Sequence, residues 1–147
     1  MNFFEFADNI KRYDSKMLLD DLQVEIEKSK DVVTLQLEQW DKGEDSNGKV
    51  LGYYSLMTEI LSGGRKKQGE RYNLLDTGDF RSKTYLFPLQ KQNDIMFNYD
   101  SSGKNTSVLL DKIGPTIFGL QPKNKEQFTA IAVEKAIQLL KINLKIQ

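Results

Sequence analysis

Neither histidine nor cysteine occurs anywhere in the sequence. The first gap removes the side chain that titrates near neutrality and the commonest metal ligand. The second removes disulfides, Cys-ligated zinc, iron–sulfur clusters and thiolate nucleophiles, and it leaves the redox compartment undetermined. Enzymes that depend on imidazole, thiol or a metal held by them are excluded, and no cofactor or metal site is expected. An excess of charge is missing too. The 21 basic and 21 acidic side chains cancel, so there is no broad positive field to draw the chain onto nucleic acid or anionic membrane, and its partners are expected to be proteins. Long apolar runs are also absent. The start Met1-Asn2-Phe3-Phe4-Glu5-Phe6-Ala7-Asp8 lacks the basic region and apolar stretch of a signal peptide, and nothing later approaches membrane-spanning length. A soluble protein without an export signal is the expectation.

What is present suffices for one modest core: 147 residues, 39% hydrophobic and 10% aromatic, read as a single domain over 1–147. Phe3, Phe4, Phe6 and Ile10 make an apolar cluster in the segment 1–13, which is expected to dock on the core in preference to a neighbour. From 15 to about 40, Leu19, Leu22, Ile26, Val33, Leu37 and Trp40 recur at three-and-four spacing, which predicts one long amphipathic helix. Asp14 or Ser15 can cap it, Gly43 lies just past its end, and at ~1.5 Å per residue it would run about 40 Å. Residues 41–48 read as a loop, 50–55 show no clear period, and 62–70 hold three glycines and three cations with nothing to bury, so a flexible loop is expected there.

Two alternating stretches follow, 83–89 and 94–99, with Tyr85, Phe87 and Leu89 on one face of the first and Ile95, Phe97 and Tyr99 on one face of the second. They predict a hairpin turning over 90–93, and Pro88 requires an edge strand or a bulge. Val108 to Ile113 predicts one or two helical turns stopped by Gly114-Pro115. Asn124-x-x-Gln127 resembles a capping box opening a last helix with Val133, Ile137, Leu140 and Leu144 as its stripe. The fold class expected is α+β, a long N-terminal helix and a C-terminal helix packed on a small antiparallel sheet.

Without histidine and cysteine, paired carboxylates are the remaining acid–base candidates: Glu44 with Asp45, or Asp76 with Asp79. Each pair has a simpler explanation, in a solvated loop or a turn. Asp41, Asp45 and Asn47 crowd as calcium ligands do, but Gly43 and Ser46 occupy the third and sixth positions of such a loop, and the match fails. Gly63-Gly64-Arg65-Lys66-Lys67 lacks the preceding apolar strand and the serine or threonine ending of a phosphate cradle. Its cations, with Arg71, remain candidates for gripping an acidic protein surface. The segment Asp76-Thr77-Gly78-Asp79-Phe80 makes sense as a structural turn: Asp76 can accept from backbone two residues on, Gly78 supplies positive φ, and Phe80 returns the chain to the core.

Three motifs are more specific: Gly48-x-x-Leu51-Gly52-x-Tyr54-Ser55-x-x-Thr58; Lys66-Lys67-x-Gly69-x-x-Tyr72-x-Leu74-x-Asp76-Thr77-Gly78-Asp79-Phe80; and Ile113-Gly114-x-x-Ile117-Phe118-Gly119-Leu120. Together, over roughly 35–122, they resemble small proteins of tailed phages infecting Bacteroidales, including crAss-like phages. More distantly, the chain resembles phage head–tail connector and tail-completion proteins, with Arg81 and Ser82 only in part matching the basic and small residues usual after the Thr-Gly turn. The resemblance implies a structural virion protein made in the host cytoplasm, with no catalytic residue. It implies a ring in the neck or tail whose symmetry matches portal or tail, in contact with portal, neck or tail proteins, with the passing genome the only nucleic acid near it. Heterologous subunit contacts are expected at Arg65, Lys66, Lys67 and Arg71 and on the hairpin. The alternative expectation is a soluble protein- or nucleic-acid-binding module that uses the basic loop 65–71, with a carboxylate hydrolase third.

Overall fold

In the computed structural model, residues 2–75, 78–90 and 95–146 are described. The first helix, α1 (Phe3–Arg12), is started by a capping box in which the Asn2 side chain accepts from the Glu5 N–H and Glu5 accepts from the Asn2 N–H. Asp14 caps α2 (Ser15–Glu27) by accepting from the Met17 N–H at 2.9 Å. The helix expected over 15–40 does not continue. Ser29 takes an extended conformation (φ −74°, ψ 120°) and serves as N-cap of a separate α3 (Lys30–Asp41). Serine favours the cap over the helix interior, and the β-branched run Val32-Val33-Thr34 that follows is a weak helix former. The break turns α3 so that Val32, Leu35, Gln36, Gln39 and Trp40 are buried, while Val33 and Leu37 are only partly so.

The segment 50–55, without readable period, runs extended into a short α4 (Leu56–Leu61), capped by Ser55, whose Oγ accepts from the Thr58 N–H at 3.1 Å. Gly78 at φ 83° starts a single turn, α5 (Asp79–Ser82). β1 (Thr84–Gln90) and β2 (Ile95–Ser101) then pair antiparallel, Thr84 opposite Ser101 and Leu86 opposite Tyr99. Of the turn expected over 90–93, Gln90 ends β1 and the rest lies outside the described residues. Among the described residues the sheet has two strands, so Pro88 sits on an edge strand as the sequence requires. Its buried face is Thr84, Leu86, Tyr99 and Ser101. Tyr85 and Leu89, on the apolar face read from β1, point outward.

α6 (Thr106–Ile113) stops at Gly114 (φ 104°), and a 3-10 turn (Pro115–Ile117) leads into extended chain. α7 (Pro122–Leu144) begins before the expected capping box, because proline's fixed φ suits the first helical position. Asn124, within its first turn, donates instead to the Leu35 carbonyl (3.3 Å) and Gln39 Oε1 (2.9 Å). Of the stripe expected on α7, Val133 and Ile137 face solvent; Phe128, Ile131 and Ala132 pack on the core.

The result is an α+β fold with α7 packed on the sheet, Phe97 and Phe128 meeting at 5.9 Å between ring centroids. The long N-terminal helix of the expectation is two helices. One core cluster joins Ile26, Val32, Leu35, Leu86, Tyr99 and Leu120; a second is built on Trp40, Phe80 and Ile117. α1 attaches to the end of α7, Asn9 donating to the Leu144 carbonyl at 3.2 Å, yet Phe3 and Phe4 are 77% and 78% exposed. Among the described residues no helix is long and apolar enough to cross a membrane.

Candidate interaction face

The three motif segments are brought together by α3. Trp40 Nε1 donates to the Ile117 carbonyl at 2.9 Å, and Gln39 Nε2 donates to the Gly119 carbonyl at 2.9 Å. Gln39 Oε1 accepts from the Gln121 N–H at 2.7 Å and from Asn124 Nδ2. Gln36 Oε1 accepts from the Gly119 N–H at 2.8 Å, while its Nε2 is buried with no hydrogen-bond partner among the described residues. The extended chain 117–121 thus finds on a helix's side chains the partners that a neighbouring strand would otherwise supply. Gly119 sits at φ 112°, where a Cβ would meet Ser46 Cβ at 3.2 Å.

The first motif is laced to the second by backbone bonds, and the residues just before it to the third. The Ser46 N–H donates to the Thr116 carbonyl, the Tyr72 N–H to Gly52, the Tyr54 N–H to Glu70, and the Gly69 N–H back to Tyr54. Leu51, Leu74, Ile113 and Phe118 pack around Trp40, Phe80 and Ile117. These pairings are long-range, which is why local periodicity did not assign 50–55.

The loop 62–70 is organised by Glu59: its Oε2 accepts from the Gln68 N–H at 2.8 Å and its Oε1 lies 3.7 Å from Lys67 Nζ. Arg65 Nε donates to the Ser62 carbonyl at 3.1 Å. Arg71 lies 3.7 Å from Glu44 and donates to the Lys42 carbonyl, and Lys66 Nζ sits 5.5 Å above the Tyr54 ring. Among the described residues the four cations point to different partners, and Lys67 and Arg71 are ion-paired with carboxylates.

Between this loop and α6 lies an open cavity of about 220 Å³. Tyr54 and Tyr72, with centroids 4.9 Å apart, form one wall, and Leu74, Phe80, Leu109 and Ile113 also line it. Lys112 Nζ stands 4.8 Å above the Tyr72 ring, so two ammonium groups, held over aromatic faces by cation–π attraction, border a hollow lined by both apolar and polar side chains. Sequence reading missed this grouping; the only local sign was aromatic residues interleaved with lysines over 53–72.

Three of the four carboxylates weighed for acid–base work, Glu44, Asp45 and Asp79, have structural occupations. Asp45 Oδ1 accepts from the Asn47 and Lys49 N–H groups, both at 2.9 Å, and Glu44 Oε2 accepts from Gln121 Nε2 at 2.9 Å. Asp79 Oδ1 lies 2.8 Å from Lys83 Nζ, and its Oδ2 accepts from the Lys104 N–H at 2.8 Å. The Lys83 bond, then the Lys104 N–H, hold the Asp79 carboxyl below its ordinary 3.8. That is the opposite of what a general acid needs near neutrality. Of the structural turn, Asp76 and Thr77 lie outside the described residues, Gly78 supplies the positive φ, and Phe80 is 6% exposed against Trp40, with ring centroids 5.1 Å apart.

No protein-family model matches the sequence, and neither curated proteins nor solved structures yield a significant match.

Proposed function

We propose that this chain is a structural virion protein of a tailed phage, one subunit of a ring in the head–tail neck or at the completed end of the tail. The observation that carries the reading is that the three segments on which the family resemblance rests, the last well separated in sequence from the first two, pack together around Trp40, Phe80 and Ile117. Two further features support it. Large apolar side chains stand uncovered on α1 and α4, with Phe3, Phe4 and Leu61 each more than three-quarters exposed, as subunit surfaces do before assembly. Of the carboxylates weighed for catalysis, Glu44, Asp45 and Asp79 are engaged in turns, hydrogen bonds and ion pairs.

The alternative reading, a binding module using Arg65, Lys66, Lys67 and Arg71 on nucleic acid, is less well supported. Lys67 and Arg71 are paired with Glu59 and Glu44, and net charge is zero, so few phosphates would be neutralised.

The decisive experiment is quantitative mass spectrometry of purified particles, with cryo-EM of the neck and tail. A fixed copy number relative to the portal, and density for this fold at the neck or tail, is expected. Absence from purified particles would overturn the reading.

A further inference from the structure

The alternation of bonds between β1 and β2 fixes what the two outer edges of the sheet offer. The Ser102 N–H donates to the Lys83 carbonyl at 3.2 Å. With the register of the strands, this makes Tyr85 with Asp100, Phe87 with Asn98 and Leu89 with Met96 the pairs that exchange bonds. Leu86, Pro88, Phe97, Tyr99 and Ser101 fall between them, so their backbone groups point away from the partner strand. Among the described residues no third strand lies against either edge. On β1 an outward position falls to Pro88, which has no N–H to donate. On β2 two outward donors are occupied from within the strand: Asn98 Oδ1 accepts from the Tyr99 N–H at 3.0 Å, and Asp100 Oδ1 accepts from the Ser101 N–H at 2.7 Å. Burial forces neither bond, since Asn98 is exposed and Asp100 half-buried. Room remains beside the strand: an open groove of about 420 Å³ is lined by Phe97, Asn98 and Tyr99 together with Gly119, Leu120 and Phe128.

We infer that Asn98 and Asp100 guard the β2 edge, closing it to strand addition by the β2 of a second copy of this chain. An incoming strand must offer carbonyl oxygens to the outward N–H groups of β2. At Tyr99 and Ser101 it meets a side-chain oxygen already in that place, and at Asp100 a negative charge as well, one of the means by which sheet edges are kept from pairing. The need for a guard lies in the strand itself. Phe97 and Tyr99 are strong β formers, and a bare edge is the same in every copy, so two copies can pair antiparallel about a twofold axis. The two edges of the sheet are thus blocked by different means, Pro88 on one and side-chain acceptors on the other. The inference is independent of the ring reading, because it concerns backbone pairing and not the side-chain surfaces a ring would use.

The test compares full-length variants by analytical ultracentrifugation, with folding checked by circular dichroism and contacts between copies read by isotope-filtered NMR on equal mixtures of labelled and unlabelled chain. Asn98→Ala with Asp100→Ala uncovers both donors. It is expected to self-associate about tenfold more tightly than the parent, or tighter still, with contacts between residues 97–101 of two copies. Asp100→Asn loses the same charge but keeps both acceptors, and should associate as the parent does. Amide hydrogen exchange reads each guard bond separately and does not need the double variant to fold. Asn98→Ala should speed exchange at Tyr99 by about fivefold and leave Ser101 unchanged, and Asp100→Ala should do the reverse. The inference is overturned if the folded double variant associates no more tightly than the parent, or if its association bypasses residues 97–101. It is equally overturned if Asp100→Asn associates as tightly as the double variant, or if neither single variant alters exchange at the amide that follows it.

Discussion

Gln39 offers the sharpest test of how the fold is held. It is 2% exposed and satisfies three groups at once, the Gly119 carbonyl, the Gln121 N–H and Asn124 Nδ2. Gln39→Met keeps the side chain's length and approximate volume, so no large cavity opens and the loss is mainly of hydrogen bonding. With each net bond contributing ~0.5–1.5 kcal/mol and stranded buried groups adding to that, the expected cost is about 3 kcal/mol. For a chain of this size that corresponds to a fall in Tm of about 6–12 °C. Gln36→Met is the matched contrast. It loses one bond, from the Gly119 N–H, but also removes an Nε2 that is buried without a partner among the described residues, so its net effect should stay within about 1 kcal/mol. Urea unfolding followed by the fluorescence of Trp40, the one tryptophan of the chain, reads both variants. An unchanged m-value would place the effect in stability and not in the denatured state. Equal costs for the two variants, or a loss under about 1 kcal/mol for Gln39→Met, would refute the reasoning from these bonds.

Gly119→Ala imposes φ 112° on a side chain and brings its methyl to 3.2 Å from Ser46 Cβ. It should cost about 1–3 kcal/mol in thermal unfolding, and adding Ser46→Gly should recover only the steric share. Arg81 donates to Asp41 at 2.6 Å and to the Leu37 and Asn73 carbonyls from a side chain 13% exposed. Arg81→Lys cannot reproduce that fork and should lose about 1–2 kcal/mol, whereas Asp41→Asn, at an exposed carboxylate, should lose under about 1 kcal/mol. The Asp79 carboxyl is depressed in the folded chain, so its contribution is present above its ordinary 3.8 and lost as pH falls through the lower folded value. Denaturation curves of the parent and of Asp79→Asn should therefore differ at pH 6 and converge on the acid side of that value; a gap that persists unchanged would exclude the Lys83 ion pair as its source.

Much of the fold is legible because its signals are local. Asp14 as a cap, Gly114-Pro115 as a stop, the two strands and the positive φ of Gly78 each depend on a few neighbouring residues. The misses come from groups whose role is set at a distance. Ser29 is one polar residue within an apolar stripe, and nothing nearby says that it breaks the helix. Gln36 and Gln39 look like solvent-facing residues until the backbone of 117–121 is laid against them. On α7, Val133 and Ile137 compete with Phe128 and Ile131 for the inward face, and sequence spacing alone does not rank the two stripes. The cationic cluster was visible at Arg65, Lys66, Lys67 and Arg71, but its partners Glu59 and Glu44 and the aromatic faces of Tyr54 and Tyr72 were not. Lys112, some forty residues away, had no local sign at all.

The grip of α3 on 117–121 sets which kinds of sequence change this region tolerates. In a β-ladder every residue offers the same pair of groups, so a slipped strand can find new partners. Here the amides of Gln36 and Gln39 each fit particular backbone atoms at Gly119 and Gln121. Apart from Gly119, side chains along 115–120 can be exchanged for others of similar bulk, but a single insertion or deletion there presents the wrong atoms to both glutamines. Length, more than composition outside Gly119, is what this stretch needs in order to fold.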